Sequence, residues 1–119
     1  MSPVLYSVDH RGVATLTLNR PEKHNAFDDD MIGLIDAALR KADSDDAVRV
    51  LVLAAAGRSF SAGADLAWMR RVAAYTYEEN VADAKGLASM LHTLNFLSKP
   101  TLARVQGNAF GGAVGLISC

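Results

Sequence analysis

Val48-Arg49-Val50-Leu51-Val52-Leu53-Ala54 is a short, nearly continuous apolar run, and it constrains the chain more than any other stretch. Strands of that kind are usually covered on both faces, as in a parallel sheet. Parallel strands need crossover connections, so helices must alternate with strands around it. Thr101 to Val105 reads as a second short strand of the same sheet.

The flanking segments supply that alternation. Val4 to Asn19 reads as a hairpin: Leu5, Tyr6 and Val8 precede the turn Asp9-His10-Arg11-Gly12, and Val13 to Leu18 alternates with period two. Asn19-Arg20-Pro21 breaks the strand. A helix starts near Asp28, where three aspartates suit an N-terminus and its dipole. Its apolar face is Met31, Ile32, Leu34, Ile35, Ala38, Leu39 and Ala42, with Asp43 to Asp46 as a polar exit. Asp65 to Val72 is a short helix. Thr76 and Glu79 form a capping box for the next, which runs to about Leu97 with Val81, Ala84, Ala88, Leu91 and Leu94 at helical spacing. Ser98-Lys99-Pro100 ends it, and Ala113 to Cys119 is apolar enough to begin a buried helix. The order β-β-α-β-α-α-β-α argues an α/β fold.

At 119 residues the chain is one domain at most. With 12 basic against 13 acidic residues, no charge excess points to nucleic acid. No apolar run is long enough to cross a bilayer, and the N-terminus lacks a signal-peptide pattern, so no membrane partner is expected. The one cysteine, Cys119, excludes a disulfide framework and fits a reducing, cytoplasmic setting. His10, His24 and His92 stand alone, without metal-ligand spacing, so no metal site is expected. Gly-Leu-Ile-Ser-Cys at the end is an apolar helical start with no polar exit. It leads to the expectation of an incomplete domain, or of a second chain that completes the core.

Two loops of small residues carry the chemistry. Ser59-Phe60-Ser61-Ala62-Gly63-Ala64-Asp65-Leu66 and Gln106-Gly107-Asn108-Ala109-Phe110-Gly111-Gly112 each follow a strand and lead towards a helix. Such turns can aim two backbone N–H groups at one oxygen, the arrangement of an oxyanion hole that stabilises an enolate. Either loop alone could be a tight strand-to-helix connection. Neither matches the G-x-G-x-x-G fingerprint or a P-loop, and Gly57 to Ser61 is not a nucleophile elbow. Asp65 reads as an N-cap rather than an acid catalyst. Trp68 and Met69 are either core or the lining of a ligand pocket.

These residues resemble the enoyl-CoA hydratase/isomerase (crotonase) superfamily. Leu18 to Phe27 looks like its N-R-P-x-x-x-N-A segment, Ser59 to Leu66 like its F-x-A-G-A-D-L loop, and Lys99 to Gly112 like its K-P-x-x-A-x-V-x-G-x-A-x-G-G stretch. The resemblance covers all 119 residues, but only the N-terminal half of a usual member. It implies a spiral of β-β-α units, here stopping before the C-terminal helical region used for trimerisation. It also implies an acyl-CoA thioester substrate and no separate cofactor, coenzyme A being part of that substrate. Ala64 and Gly112 would supply the two N–H groups of the hole. Lys23, His24, Asn25 and Ala26, with Ala62, Gly63, Ala64, Asp65 and Leu66, would line the CoA-thioester site. Arg20 or Lys23 would lie near the CoA phosphates or be ordinary surface charges.

Hydratases of this family use two glutamates to orient water and move protons. The first falls three residues after the oxyanion-hole glycine, which here is Gly115, and the second falls beyond Cys119. The chain therefore carries neither carboxylate, and little or no turnover is expected of it alone. Ala67 to Arg71 and Gly107 to Gly115 look similar to bacterial hydratases of branched, carboxylated enoyl-CoAs. Those act in leucine or acyclic-terpene breakdown, in the manner of methylglutaconyl-CoA hydratase. The resemblance implies a hydratase or isomerase acting on a branched 2-enoyl-CoA in fatty-acid, leucine or terpene catabolism, working as a homo-oligomer or with a complementing C-terminal chain. The alternative is a non-catalytic acyl-CoA-binding or self-associating fragment.

Overall fold

The structure, a computed structural model, describes residues 1–119. Strand β1 (Val4–Val8) pairs antiparallel with β2 (Val13–Leu18), Val4 opposite Leu18 and Val8 opposite Ala14. Helix α1 (Asp29–Ser44) then crosses over to β3 (Val50–Ala55), which lies parallel to β2. Helices α2 (Leu66–Ala73) and α3 (Tyr77–Asn95) carry the chain to β4 (Thr101–Ala103), parallel to β3, and α4 (Gly112–Ser118) follows. The sheet order is β1-β2-β3-β4. This is the expected α/β architecture, a mixed four-stranded sheet with helices. No helix is long and apolar enough to cross a membrane.

The period-two pattern decides which face of the sheet is covered. Ala14, Leu16 and Leu18 of β2 and Leu51 and Leu53 of β3 are buried, together with Met31, Ile35, Leu39 and Ala42 of α1. Burying each large side chain contributes roughly 1.5–3 kcal/mol. Helix α3 packs along α1 and adds Met90 and Leu94 to the same core. Expected caps are present: Met31 N donates to Asp28 Oδ1 (2.9 Å), and Thr76 and Glu79 form the reciprocal capping box.

Several expectations need correction. β3 buries Leu51 and Leu53 on one face, while on the other Ala54 is buried but Val50 and Val52 are only half-buried. Its apolarity suits a parallel ladder, but no helix of the chain seals that second face. Leu34 belongs to the periodic pattern of α1 yet is 44% exposed, at the margin of the buried stripe. On α3, Ala84 and Ala88 face solvent, while Met90 is buried and Leu87 and Leu91 half-buried. Leu91 turns to Gly115 of α4 and Leu87 towards α2, while the small alanines leave less apolar area to hide. β4 stops at Ala103, so Arg104 and Val105 lie outside the ladder, and Leu102 is 61% exposed on this edge strand. Ser98 and Lys99 do more than end a helix. Ser98 Oγ donates to Asp43 Oδ1 (2.6 Å), and Lys99 Nζ donates to the carbonyls of Ala42 (2.7 Å) and Asp45 (2.6 Å), adding a second donor to each just past the end of α1.

Candidate active site

The site is built on a short 3-10 turn, Pro21–Lys23, followed by two left-handed residues, His24 (φ 51°) and Asn25 (φ 55°). Asparagine tolerates that conformation, and here its side chain also fixes its neighbours. Asn25 is fully buried. Its Nδ2 donates to the carbonyls of Ala56 (2.7 Å) and Ser59 (3.0 Å), and its Oδ1 accepts from Arg20 N (2.7 Å). Ser61 Oγ donates to the Asn25 carbonyl (2.9 Å) and accepts from Gly63 N (3.1 Å). The first loop is thereby tied to the Pro21–Lys23 turn.

Arg20 is neither a surface charge nor a free cation for phosphate. Its guanidinium donates to the Ala26 carbonyl (2.9 Å) and to Asp65 Oδ2 (3.3 Å), with Asp28 at 3.7 Å. Asp65 is the N-cap of α2, its Oδ1 accepting from Trp68 N (3.0 Å). That backbone bond, with Arg20 adding a smaller contribution, holds its carboxyl below the usual carboxylate range. A carboxylate so committed does not shuttle protons at neutral pH.

The two small-residue loops meet along their backbones. Phe27 N donates to the Gly63 carbonyl (2.9 Å) and Asp65 N to the Phe27 carbonyl (2.9 Å). Phe110 N donates to the Ser61 carbonyl (3.0 Å), and Phe60 N (2.9 Å) and Ser61 N (3.2 Å) converge on the Asn108 carbonyl. Gly63 has φ +89°, and a Cβ there would stand 2.7 Å from the Phe110 carbonyl oxygen and 3.5 Å from Gly112 N. A Cβ on Gly112 would stand 2.8 Å from Phe27 Cζ. Glycine at both positions is what lets the backbones approach. The amides of Ala64 and Gly112 donate to no acceptor within the chain. Gly112 is the first residue of α4, where an N–H has no intrahelical partner.

Two cavities adjoin Ala64. A groove of about 590 Å³ is walled by Lys23, His24, Ala26, Ala62, Ala64, Asp65 and Leu66, with Glu22, Ala67 and Arg70. An apolar cavity of about 520 Å³ lies between α2 and α3, and Ala64, Trp68, Met69 and Leu87 are among its walls. Ala64 is common to both. The structure thus brings together seven of the ten residues singled out for the hole and its surroundings, while Asn25 and Gly63 stand behind the groove as supports. Gly112 lines neither cavity and reaches the junction through its closeness to Gly63. Trp68 and Met69 resolve differently: Trp68 is core and pocket wall at once, 7% exposed, whereas Met69 is a half-open wall.

Sequence reasoning missed Arg70 and Asp83. Arg70 is one helical turn from Leu66, so the i, i+4 rule would have set it on the groove side. Neither Lys23 nor Arg70 has an ion-pair partner, which leaves two cations on the groove. Asp83 lines the apolar cavity and accepts from Trp68 Nε1 (3.3 Å). Its i, i+4 relation to Leu87 was the available signal. Gly115 faces Leu91 of α3, and a Cβ there would meet Leu91 Cδ2 at 3.5 Å. No carboxylate projects from α4.

Residues 9–119 match the family model for enoyl-CoA hydratase/isomerase. An enoyl-CoA hydratase of Shewanella pealeana superimposes with a TM-score of 0.93 at 43% identity, over 97% of this chain and 43% of that one. The 4-chlorobenzoyl coenzyme A dehalogenase-1 of an Arthrobacter species is 38% identical over 92% of this chain and 41% of its own length. The trans-2-decenoyl-[acyl-carrier-protein] isomerase of Streptococcus mutans is 36% identical over 95% and 43%. The chain therefore spans less than half the length of the relatives it matches, and the names of those relatives cover three different reactions. By its sequence match and its fold, the chain belongs to the enoyl-CoA hydratase/isomerase family.

Proposed function

We propose that this chain binds an acyl-CoA thioester across Ala64 and stabilises its enolate with the Ala64 and Gly112 N–H groups. The observation that carries the reading is the pair of unpartnered amides on two loops packed backbone to backbone, next to a residue common to two cavities. The groove with Lys23 and Arg70 takes the coenzyme A arm, and the apolar cavity takes the acyl group. An enolate oxygen gains far more than a thioester carbonyl from fixed donors, and one such donor is worth roughly 10²–10³ in rate.

The hydratase or isomerase chemistry belongs to a site that includes an acid from outside this chain. Gly115 cannot transfer a proton, and α4 carries no carboxylate. Little or no turnover is therefore expected of the chain by itself. The acyl group is a branched 2-enoyl chain, for which the alanines at 73 and 84 leave width. Leu102, Phe110 and Val114 are exposed apolar side chains on β4, the second loop and α4, and they are the candidates for association with further polypeptide.

Trp68 is the one tryptophan and lines the acyl cavity, so its fluorescence reports binding there. Titration with acetoacetyl-CoA, whose acyl group is enolate-like, should give tighter binding than coenzyme A alone. In ¹⁵N spectra the Ala64 and Gly112 amides should move downfield with the thioester and not with coenzyme A. Ala64→Pro removes one N–H that holds no internal bond, and should abolish that preference. Equal binding of the two ligands, or stationary Ala64 and Gly112 amides in the wild-type chain, would sink the reading.

A further inference from the structure

We infer that Asp83 makes the apolar cavity select acyl groups carrying a hydroxyl, an inference that rests on the acyl-CoA reading above. Seven of the nine residues lining the cavity are hydrophobic, and the other two are Asn80 and Asp83. Asn80 turns its Nδ2 back to the Tyr75 carbonyl (3.5 Å). Asp83 spends one oxygen on Trp68 Nε1 (3.3 Å), while Oδ2 accepts from no group of the chain and no cation pairs with it. No basic side chain lines the cavity.

Asp83 is half-buried on the wall of an otherwise apolar, open cavity, and its Oδ2 is left to water. A purely hydrocarbon acyl group would displace that water and return no hydrogen bond, which costs free energy. An acyl carboxylate would add like-charge repulsion with Asp83. A hydroxyl donates one hydrogen bond to Oδ2 and leaves the Trp68 bond in place. Asp83 does not stand in for the acid missing from α4. A side chain at Gly115 would meet Leu91, and the eight residues from Asp83 to Leu91 span about 12 Å of helix. It is a specificity residue, reading the acyl group away from that end of the cavity.

The test uses Trp68 fluorescence of the 119-residue chain with matched coenzyme A thioesters of four, six and eight carbons. Each length is presented as the plain alkanoyl, ω-hydroxy and ω-carboxy form. At one length or more, the ω-hydroxy form should bind about tenfold more tightly than its alkanoyl match, the scale of one charge-assisted hydrogen bond. The ω-carboxy form should bind most weakly. Asp83→Leu should erase the hydroxyl preference and leave alkanoyl binding equal or tighter. Asp83→Asn keeps a partner for Trp68 and should relieve the penalty on the carboxylate. Equal binding of alkanoyl and ω-hydroxy forms at every length overturns the inference and leaves the acyl-CoA reading standing, and so does a preference that survives Asp83→Leu. Failure of every thioester to bind removes the acyl-CoA reading and this inference with it. If a variant does not fold, the order of the three ligand classes on the wild-type chain decides alone.

Discussion

The loop from Ser59 to Leu66 is anchored from both sides, whereas the loop from Gln106 to Gly112 leans on it from one. In the first, Phe60, Ser61 and Gly63 are buried, Asn25 and Ser61 bind its backbone, and Arg20 grips Asp65 at its exit. In the second, Gln106 Nε2 donates back to the carbonyls of Ala55 (3.1 Å) and Gly57 (2.9 Å), and Gly107 presses on Arg58 so closely that a Cβ would overlap its carbonyl. Phe110 is 58% exposed. Two loops with similar composition thus have a fixed order of dependence. The first is a template and the second docks on it, so the Ala64 amide is positioned locally and the Gly112 amide at second hand.

Removing the template should have the largest effect. Asn25→Ala would orphan Arg20 N and the Ala56 carbonyl, and would leave the Ser59 carbonyl only its longer bond from Gln106 Nε2 (3.3 Å). At about 1–3 kcal/mol for a buried polar group left unpaired, a loss of about 3 kcal/mol or more is expected in denaturant unfolding. A loss under about 1 kcal/mol would mean the first loop holds itself. Gly63→Ala comes next, because it combines a φ of +89° with a contact of 2.7 Å to the Phe110 carbonyl. About 2–3 kcal/mol should be lost, and amide shifts should change in both loops. Gly111→Ala sharpens the contrast. Its φ is +56° but the space around it is open, so about 1–2 kcal/mol should be lost, with shifts confined to residues near 110–113. Spread of those shifts into Ser59–Leu66 would reverse the proposed order of dependence.

The smallest effect belongs to Asp65→Asn. Asparagine caps a helix nearly as well as aspartate, so under about 1 kcal/mol should be lost at pH 7. The pH dependence is the sharper readout. The Asp65 carboxyl is held below its ordinary range, so its contribution is complete above the unfolded value near about 4 and is lost as pH falls through the folded value. Thermal unfolding from pH 7 downward should show acid destabilisation below about pH 4, reduced in Asp65→Asn. Asp29 beside Arg71 and Asp43 beside Ser98 are held low as well, so part of the acid transition should remain.

Much of the fold was legible because its signals are local. The hairpin turn, the Asp28 and Asp65 caps and the Thr76–Glu79 capping box each depend on groups three or four residues apart. The small-residue loops were legible as candidates for the same reason. Which side of a helix meets which neighbour was harder to read. Ala84 and Ala88 fit the periodic stripe of α3 as well as Leu87 does, and only packing against the neighbouring helices chose among them. Arg20 reads in the sequence either as a phosphate neighbour or as a surface charge; nearby Asp28 and the distant Asp65 engage it instead.

The sequence by itself determined the α/β alternation, the family, the helix caps and the two backbone turns at Ala64 and Gly112, since these rest on short-range sterics and hydrogen bonding. Only the tertiary structure decided that Asn25 and Gly63 support the groove rather than line it. It also decided that Ala64 borders both cavities and that Asp83 faces the apolar one. The reason is physical: those facts depend on contacts between residues 30 to 50 positions apart. No periodicity along the chain encodes which side chains such contacts bury and which they leave open.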